Sequence, residues 1–196
     1  MAPSQNEQAK ISEIVCKVLN ESYVHLQIKD FVLKEDLEND KSLVSCQLTL
    51  GEKEISLEGR GDGVVDALFC TIINELNSEY LSLNNIQLID FILKAKPIKK
   101  GFGFGGLVSV DLAVANRRDK KIHFLHKSKS IIGAIIQVVQ KTIEYFINSE
   151  LAVIQLKKSL QNAKERNRID LVAEYTRMMT ELVKNMTYNK IITEEK

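Results

Sequence analysis

Uninterrupted apolar runs are short throughout this chain, and none approaches the roughly 20 residues that a membrane-spanning helix needs. The first residues, Met1-Ala-Pro-Ser-Gln-Asn-Glu-Gln8, are polar and lack the apolar centre of a secretory signal. Charge of one sign is not in excess: 27 basic residues stand against 26 acidic ones, for a net charge of +1. That balance gives no electrostatic argument for nucleic acid or for an anionic membrane surface. Cysteine is scarce. Cys16, Cys46 and Cys70 are an odd number without CxxC spacing, each among apolar neighbours, which reads as buried reduced thiols in a cytoplasmic protein. No Ser/His/Asp or Cys/His constellation stands out, and no carboxylate pair can be placed by spacing. His25 is isolated, while His123 and His126 lie three apart in a strand and so fall on opposite faces. No metal and no cofactor is expected.

What is present is the composition of an ordinary globular protein, 44% apolar and 27% charged, in 196 residues. The chain is organised around residues 57–76, where a short apolar run ends in Gly59, Gly61 and Gly63 and a helix follows. Val65, Leu68, Phe69, Ile72, Ile73 and Leu76 recur at the spacing of one helical face. A glycine-rich junction of this kind opens the backbone to a ligand, and the first helical turn offers amide hydrogens at the positive end of the dipole. The plainer reading is a tight strand-to-helix turn in which Asp62 caps and Asp66 complements the dipole. Both readings stay open on spacing alone.

Residues 7–20 carry Ile11, Ile14, Val15, Val18 and Leu19 at helical spacing. From Tyr23 the period changes: Tyr23–Leu33, Ser42–Leu50 and Glu54–Glu58 read as three strands before the glycine turn. The next stretch repeats the first. Gln27-Ile-Lys-Asp-Phe-Val-Leu-Lys34 lies on Gln87-Leu-Ile-Asp-Phe-Ile-Leu-Lys94, with Gln, Asp, Phe, Leu and Lys in identical places. Strands at Leu107–Ala115 and Ile122–His126 and a helix opening at Ile131 complete a second unit. Gly101-Phe-Gly-Phe-Gly-Gly106 matches the dinucleotide pattern GxGxxG, but it joins two strands and reads as a hairpin tip that would expose Phe102 and Phe104. Arg117–Lys121 reads as a solvated loop. After Glu150 only helix is indicated. A polar cluster at Asn162–Arg168 marks a bend, and Val172, Tyr175, Met179, Leu182 and Met186 form an apolar stripe beyond it. Such a stripe is an intramolecular docking or dimer face more often than a ligand site.

Gly61-Asp-Gly-Val-Val-Asp-Ala67 resembles the Gly-x-Gly-Pro-Val-Asp-Ala signature of the C-terminal regulatory domain of α-isopropylmalate and citramalate synthases, with Val64 in place of proline. That family has a second signature, Ser-Thr-Asp-Ile-Ile-Glu-Ala-Ser. Ser128-Lys-Ser-Ile-Ile-Gly-Ala-Ile135 is similar to it and retains Ser128, Ile131, Ile132 and Ala134. The resemblance covers roughly residues 21–146. It implies a homodimeric domain that binds a branched-chain amino acid, leucine or isoleucine, and so inhibits a synthase of leucine biosynthesis. The implied effector site comprises Gly61, Asp62, Gly63, Val64, Val65, Asp66, Ala67 and Leu68, with Ser128, Ser130 and Ile131 in the second unit. The glycines would admit the carboxylate, an aspartate would meet the ammonium, and Val64, Val65 and Leu68 would line the side-chain pocket. The family's catalytic part is a TIM barrel, which 196 residues cannot hold beside this domain, so the chain is expected to be no enzyme and to act on a synthase in trans, if at all.

The expected architecture is α+β: two pseudo-symmetric β-β-β-α units forming one core, with extra N- and C-terminal helices. In numbers, 1–20 is an N-terminal helix, 21–150 the regulatory-type domain with units 21–80 and 84–150, and 151–196 a helical extension. The rival expectation is a structural or protein-interaction module that kept the fold and lost the effector, because Lys129, Ser130, Gly133 and Ile135 alter the second signature. Neither reading calls for nucleic acid or a membrane.

Overall fold

The computed structural model describes residues 5–95, 106–116 and 121–185. Helix α1 (Gln5–Leu19) precedes strands β1 (Leu26–Asp36), β2 (Lys41–Leu50) and β3 (Lys53–Gly61) and helix α2 (Val64–Leu76). The order then recurs as β4 (Ile86–Ala95), β5 (Val108–Asn116), β6 (Lys121–Ser128) and α3 (Ile131–Glu165), and α4 (Ile169–Asn185) follows. Each unit is its own antiparallel three-stranded sheet, ordered β1-β2-β3 and β4-β5-β6. The molecule is therefore α+β, with the duplication expected from the repeated octapeptide.

The repeat extends to a backbone irregularity. The β1–β2 register shifts between Lys29 and Val32, and the β4–β5 register shifts between Leu88 and Asp90. Asp30 and Asp90, identical in the repeat, stand at these two bulges; Asp30 has φ of 50°, and the Asp90 carboxylate accepts the Phe91 N–H at 2.8 Å. Aspartate tolerates such positions because its short side chain bonds the local backbone. The β2–β3 hairpin turns on Gly51, whose φ of 59° suits the first position of a two-residue loop.

One apolar core joins both units. Alternate residues of the two central strands face it: Cys46, Leu48 and Leu50 from β2, and Val108, Val110, Leu112 and Val114 from β5. Leu68, Ile72 and Leu76 of α2 and Ile135, Val139, Ile143 and Ile147 of α3 complete it. Helix α3 also binds the two units through polar groups on successive turns. Gln140 donates to the Leu26 carbonyl at 2.9 Å, Glu144 accepts the Leu26 N–H at 3.0 Å, and Asn148 accepts the Val24 N–H at 2.8 Å and donates to the Val24 carbonyl at 2.7 Å. Facing the second unit, buried Glu150 accepts the N–H groups of Leu81 and Ser82 at 3.2 and 2.7 Å, where the chain turns before β4.

Several boundaries differ from the sequence reading. Strand β3 runs on to Gly61, so Gly59 and Gly61 are paired strand residues opposite Val44 and Ser42 instead of turn residues. As the sequence reading expects, the helix continues past residue 150: α3 runs on to Glu165 and ends at the polar cluster, where Asn167 has φ of 52° and α4 turns back. Of the expected stripe on α4, Leu182 is buried in the common core and Tyr175 and Met179 pack against it, with Met178, which the stripe did not include, buried beside them; Met186 lies outside the described residues. Only Cys46 among the three free thiols is buried; Cys16 and Cys70 are exposed, because each falls on the solvent side of its helix. His123 and His126 do face opposite ways, towards Asp111 at 3.2 Å and Lys141 at 3.0 Å. Of the glycine-rich tip (101–106) and the basic loop (117–121), residues 101–105 and 117–120 lie outside the described residues, and Lys121 is the first residue of β6. No described helix is long and apolar enough to cross a membrane.

Candidate functional site

The first expected site is the joint between β3 and α2, and close backbone approach shapes it. A Cβ built on Gly59 would fall 1.7 Å from the Thr71 hydroxyl, and one on Gly61 would fall 2.4 Å from the Ala67 amide nitrogen. Both glycines therefore let α2 lie directly on the end of its strand. Gly63, the residue before the helix, has open space where a Cβ would sit and extended backbone that any residue adopts.

The aspartates divide the polar work. Asp66, in the first turn of α2, reaches back to accept the Asp62 N–H at 3.0 Å, and its other oxygen receives the Cys70 thiol at 3.3 Å. Burial, and after it the Asp66 carboxylate, pushes the Cys70 thiol up to about 11, so it carries no thiolate at neutral pH despite the exposure of the residue as a whole. Asp62 does not cap the helix. Its carboxylate pairs with Lys41 at the start of β2, and that bond and charge hold it below the usual carboxylate range. The Ala67 N–H bonds the Gly63 carbonyl at 2.8 Å, the first rung of the helix. Ala67 and Leu68 are wholly buried; Val64 and Val65 are half-buried against the core. Leu68 is thus a core residue and not the wall of an open pocket.

The second expected site, where β6 meets α3, is closed by different chemistry. The Ser130 hydroxyl accepts the Gly133 N–H at 3.0 Å, and the Ser130 N–H bonds the Ser128 hydroxyl at 3.2 Å. Ser130 is a regular N-cap, and Ile131 beside it is exposed. Two residues of these joints were not apparent in the sequence, Lys41 and Thr71. Lys41 enters only through the β2–β3 register, which brings the start of β2 beside Gly61. Thr71 is one turn beyond the glycine motif and gave no signal of its own.

Two grooves among the described residues lie elsewhere. One of about 580 Å³ runs between α1 and α4, with Ile11, Ile14 and Met178 along it and Lys10, Lys17 and Arg177 on its rim. Another, of about 420 Å³, lies in the bend between α3 and α4. Among the described residues no group of three His, Cys, Asp or Glu side chains is placed to hold a metal ion. A scan against protein-family models finds no match for the chain, and a search of the curated proteins finds none either.

Proposed function

We propose that the chain is a protein-interaction module built on a duplicated three-strand-plus-helix framework, in which the two strand-to-helix joints are structural and not effector sites. The observation that carries this reading is the closure of both joints by the chain's own groups: Asp66 takes the Asp62 N–H and Ser130 takes the Gly133 N–H. A carboxylate ligand at the second joint would seek the Gly133 N–H that Ser130 already holds, and at the first it would come up against the Asp66 carboxylate. Bonding the Asp62 N–H as well would require displacing a charge-assisted bond of about 1.5–3 kcal/mol. Leu68, the deepest of the residues expected to hold the side chain, is already packed in the core.

The open space above Gly63 favours a second reading, that of a branched-chain amino-acid sensor acting on a synthase in trans. An effector carboxylate approaching over Gly63 would meet the start of α2 from the side that the protein leaves free. Titration calorimetry of the whole chain with leucine, isoleucine and valine, each taken to millimolar concentration, separates the two. No heat is expected. Saturable heat that disappears in Gly63→Val would reverse the conclusion in favour of the sensor.

A further inference from the structure

The bend between α3 and α4 gathers hydrogen-bond donors that have no acceptor among the described residues. Gln155, Lys158, Ser159, Asn162 and Arg166 recur at three- and four-residue intervals, so they share one face of α3, and all five line the groove of about 420 Å³ at the bend. Leu171 and Tyr175, one turn apart, line it from α4. None of the five α3 side chains has a hydrogen-bond or ion-pair partner among the described residues. No carboxylate is among the lining residues, whereas Glu7, Glu13 and Glu181 stand beside the cations of the α1–α4 groove. Local needs do not account for this set. The last carbonyls of α3 are already taken: those of Asn162, Ala163 and Lys164 accept the backbone N–H groups of Arg166, Arg168 and Asn167. Arg168, the third cation of the groove, is committed to Asp170 through two bonds, at 3.1 and 2.9 Å. A cation in the last turn of a helix complements its dipole, but Lys158 stands two turns before the end of α3, beyond that influence.

We propose that this groove binds the phosphate group of a small molecule. Two unpaired cations and three neutral donors, with no competing acid among them, match a doubly charged oxyanion that accepts from several directions at once. The Arg166 guanidinium supplies a fork for two phosphate oxygens, and the Lys158 ammonium a point charge beside it. The rest of the molecule has a place as well. A second groove, of about 390 Å³, shares Gln155, Ser159 and Tyr175 with the first and continues over Val18, Leu156 and Met178. Its half-buried Tyr175 ring and apolar floor suit a flat or apolar body, and the Lys17–Glu174 ion pair stands at its rim. Both grooves are of the size of small-molecule sites, about 300–1,000 Å³. The inference goes beyond the interaction reading and touches neither strand-to-helix joint, so its failure would leave the calorimetric comparison with amino acids as it stands.

Titration of the whole chain with adenosine monophosphate at fixed ionic strength, followed through backbone amide NMR shifts, tests it; adenosine and inorganic phosphate are separate arms. Saturable shifts centred on residues 155–175 are expected for the monophosphate, with Kd of about 0.1–1 mM. Inorganic phosphate should move the same amides with a Kd roughly 10-fold higher, and adenosine should bind more weakly than the monophosphate by at least about 10-fold. Arg166→Gln and Lys158→Gln should each raise the Kd for the monophosphate roughly 5- to 10-fold. Lys10→Gln, which takes a cation from the α1–α4 groove instead, should leave it unchanged. Shifts that do not saturate overturn the proposal. So does adenosine or inorganic phosphate binding as tightly as the monophosphate, or a Kd that Lys10→Gln raises as much as Arg166→Gln does. Unchanged circular dichroism and melting temperature keep loss of fold apart from loss of binding, since Lys158 and Arg166 are both exposed.

Discussion

Replacing Gly61 by alanine would place a methyl carbon 2.4 Å from the Ala67 amide nitrogen, 2.6 Å from the Asp66 carboxylate and 2.7 Å from the Ala67 Cα. Two of these neighbours are backbone of the first turn of α2, and they cannot step aside as a flexible side chain would. The helix start must shift off the strand, at an overpacking cost of about 1–3 kcal/mol. The shift also strains the bond from the Asp62 N–H to Asp66, a charge-assisted contact of about 1.5–3 kcal/mol. Alanine returns about 0.5–1 kcal/mol because it stiffens the unfolded chain relative to glycine. The balance is a loss of about 2–4 kcal/mol, a large part of the roughly 5–15 kcal/mol available to a domain. In urea, with a slope of about 2–3 kcal/mol/M, the midpoint should fall by about 1 M. Gly63→Ala is the internal comparison: its methyl group meets nothing within 4 Å, and its midpoint should stay within about 0.3 M of the unaltered protein. Equal midpoints for the two variants would refute the closed joint, for they would mean that the start of α2 moves freely enough to admit a ligand.

Asn148→Ala removes the side chain that accepts the Val24 N–H and donates to the Val24 carbonyl, at a position with no solvent exposure. Leaving those backbone groups unsatisfied should cost about 2–4 kcal/mol, seen as a drop in melting temperature, and a change under 0.5 kcal/mol would deny α3 its role in holding β1. His126 is held below the usual histidine range by burial first and by the Lys141 ammonium second. Its unfolded form therefore binds a proton more readily than its folded form. The stability linked to this ring is complete above about pH 6.5 and declines as the pH falls from there towards the folded-state pKa. Lys141→Met should return the His126 titration part of the way upward in a proton NMR pH series, burial remaining; no movement would mean that the neighbouring charge has no influence.

The parts of this fold that were legible in the sequence are those set by period and repetition. Gln27–Lys34 and Gln87–Lys94 share five identical residues, and the structure adds that both copies bulge beside the shared aspartate. The helices were legible because their apolar residues recur with the helical period; α4 turns back at the polar cluster, and its Met178 and Leu182 reach the core as an internal docking face. What could not be read was what a glycine is for. Gly59, Gly61 and Gly63 look alike in the sequence, yet Thr71 presses on the first, the Ala67 backbone presses on the second, and nothing approaches the third. Close approach depends on where α2 lands on the sheet, which no spacing records. The thiols failed for a related reason: apolar neighbours in sequence are not neighbours in space on a helix, so Cys16 and Cys70 face out while Cys46, on a strand, faces in.

The two joints close in complementary ways, and that difference argues for a structural requirement. A full capping box uses two bonds: the cap side chain takes the amide three residues on, and an acid three residues on reaches back to the amide at the cap. The second unit keeps the forward half, from the Gly133 N–H to Ser130, and lacks the acid because Gly133 stands where it would be. The first unit keeps the backward half, displaced by one residue, from the Asp62 N–H to Asp66, and lacks the cap side chain because Gly63 stands there. Each copy of the unit, having lost one half of the device, holds the other. A helix that begins immediately after an edge strand leaves amides that must find acceptors; Ser130 supplies one for the Gly133 N–H in the second unit, while in the first Asp66 ties down the Asp62 N–H just ahead of the helix.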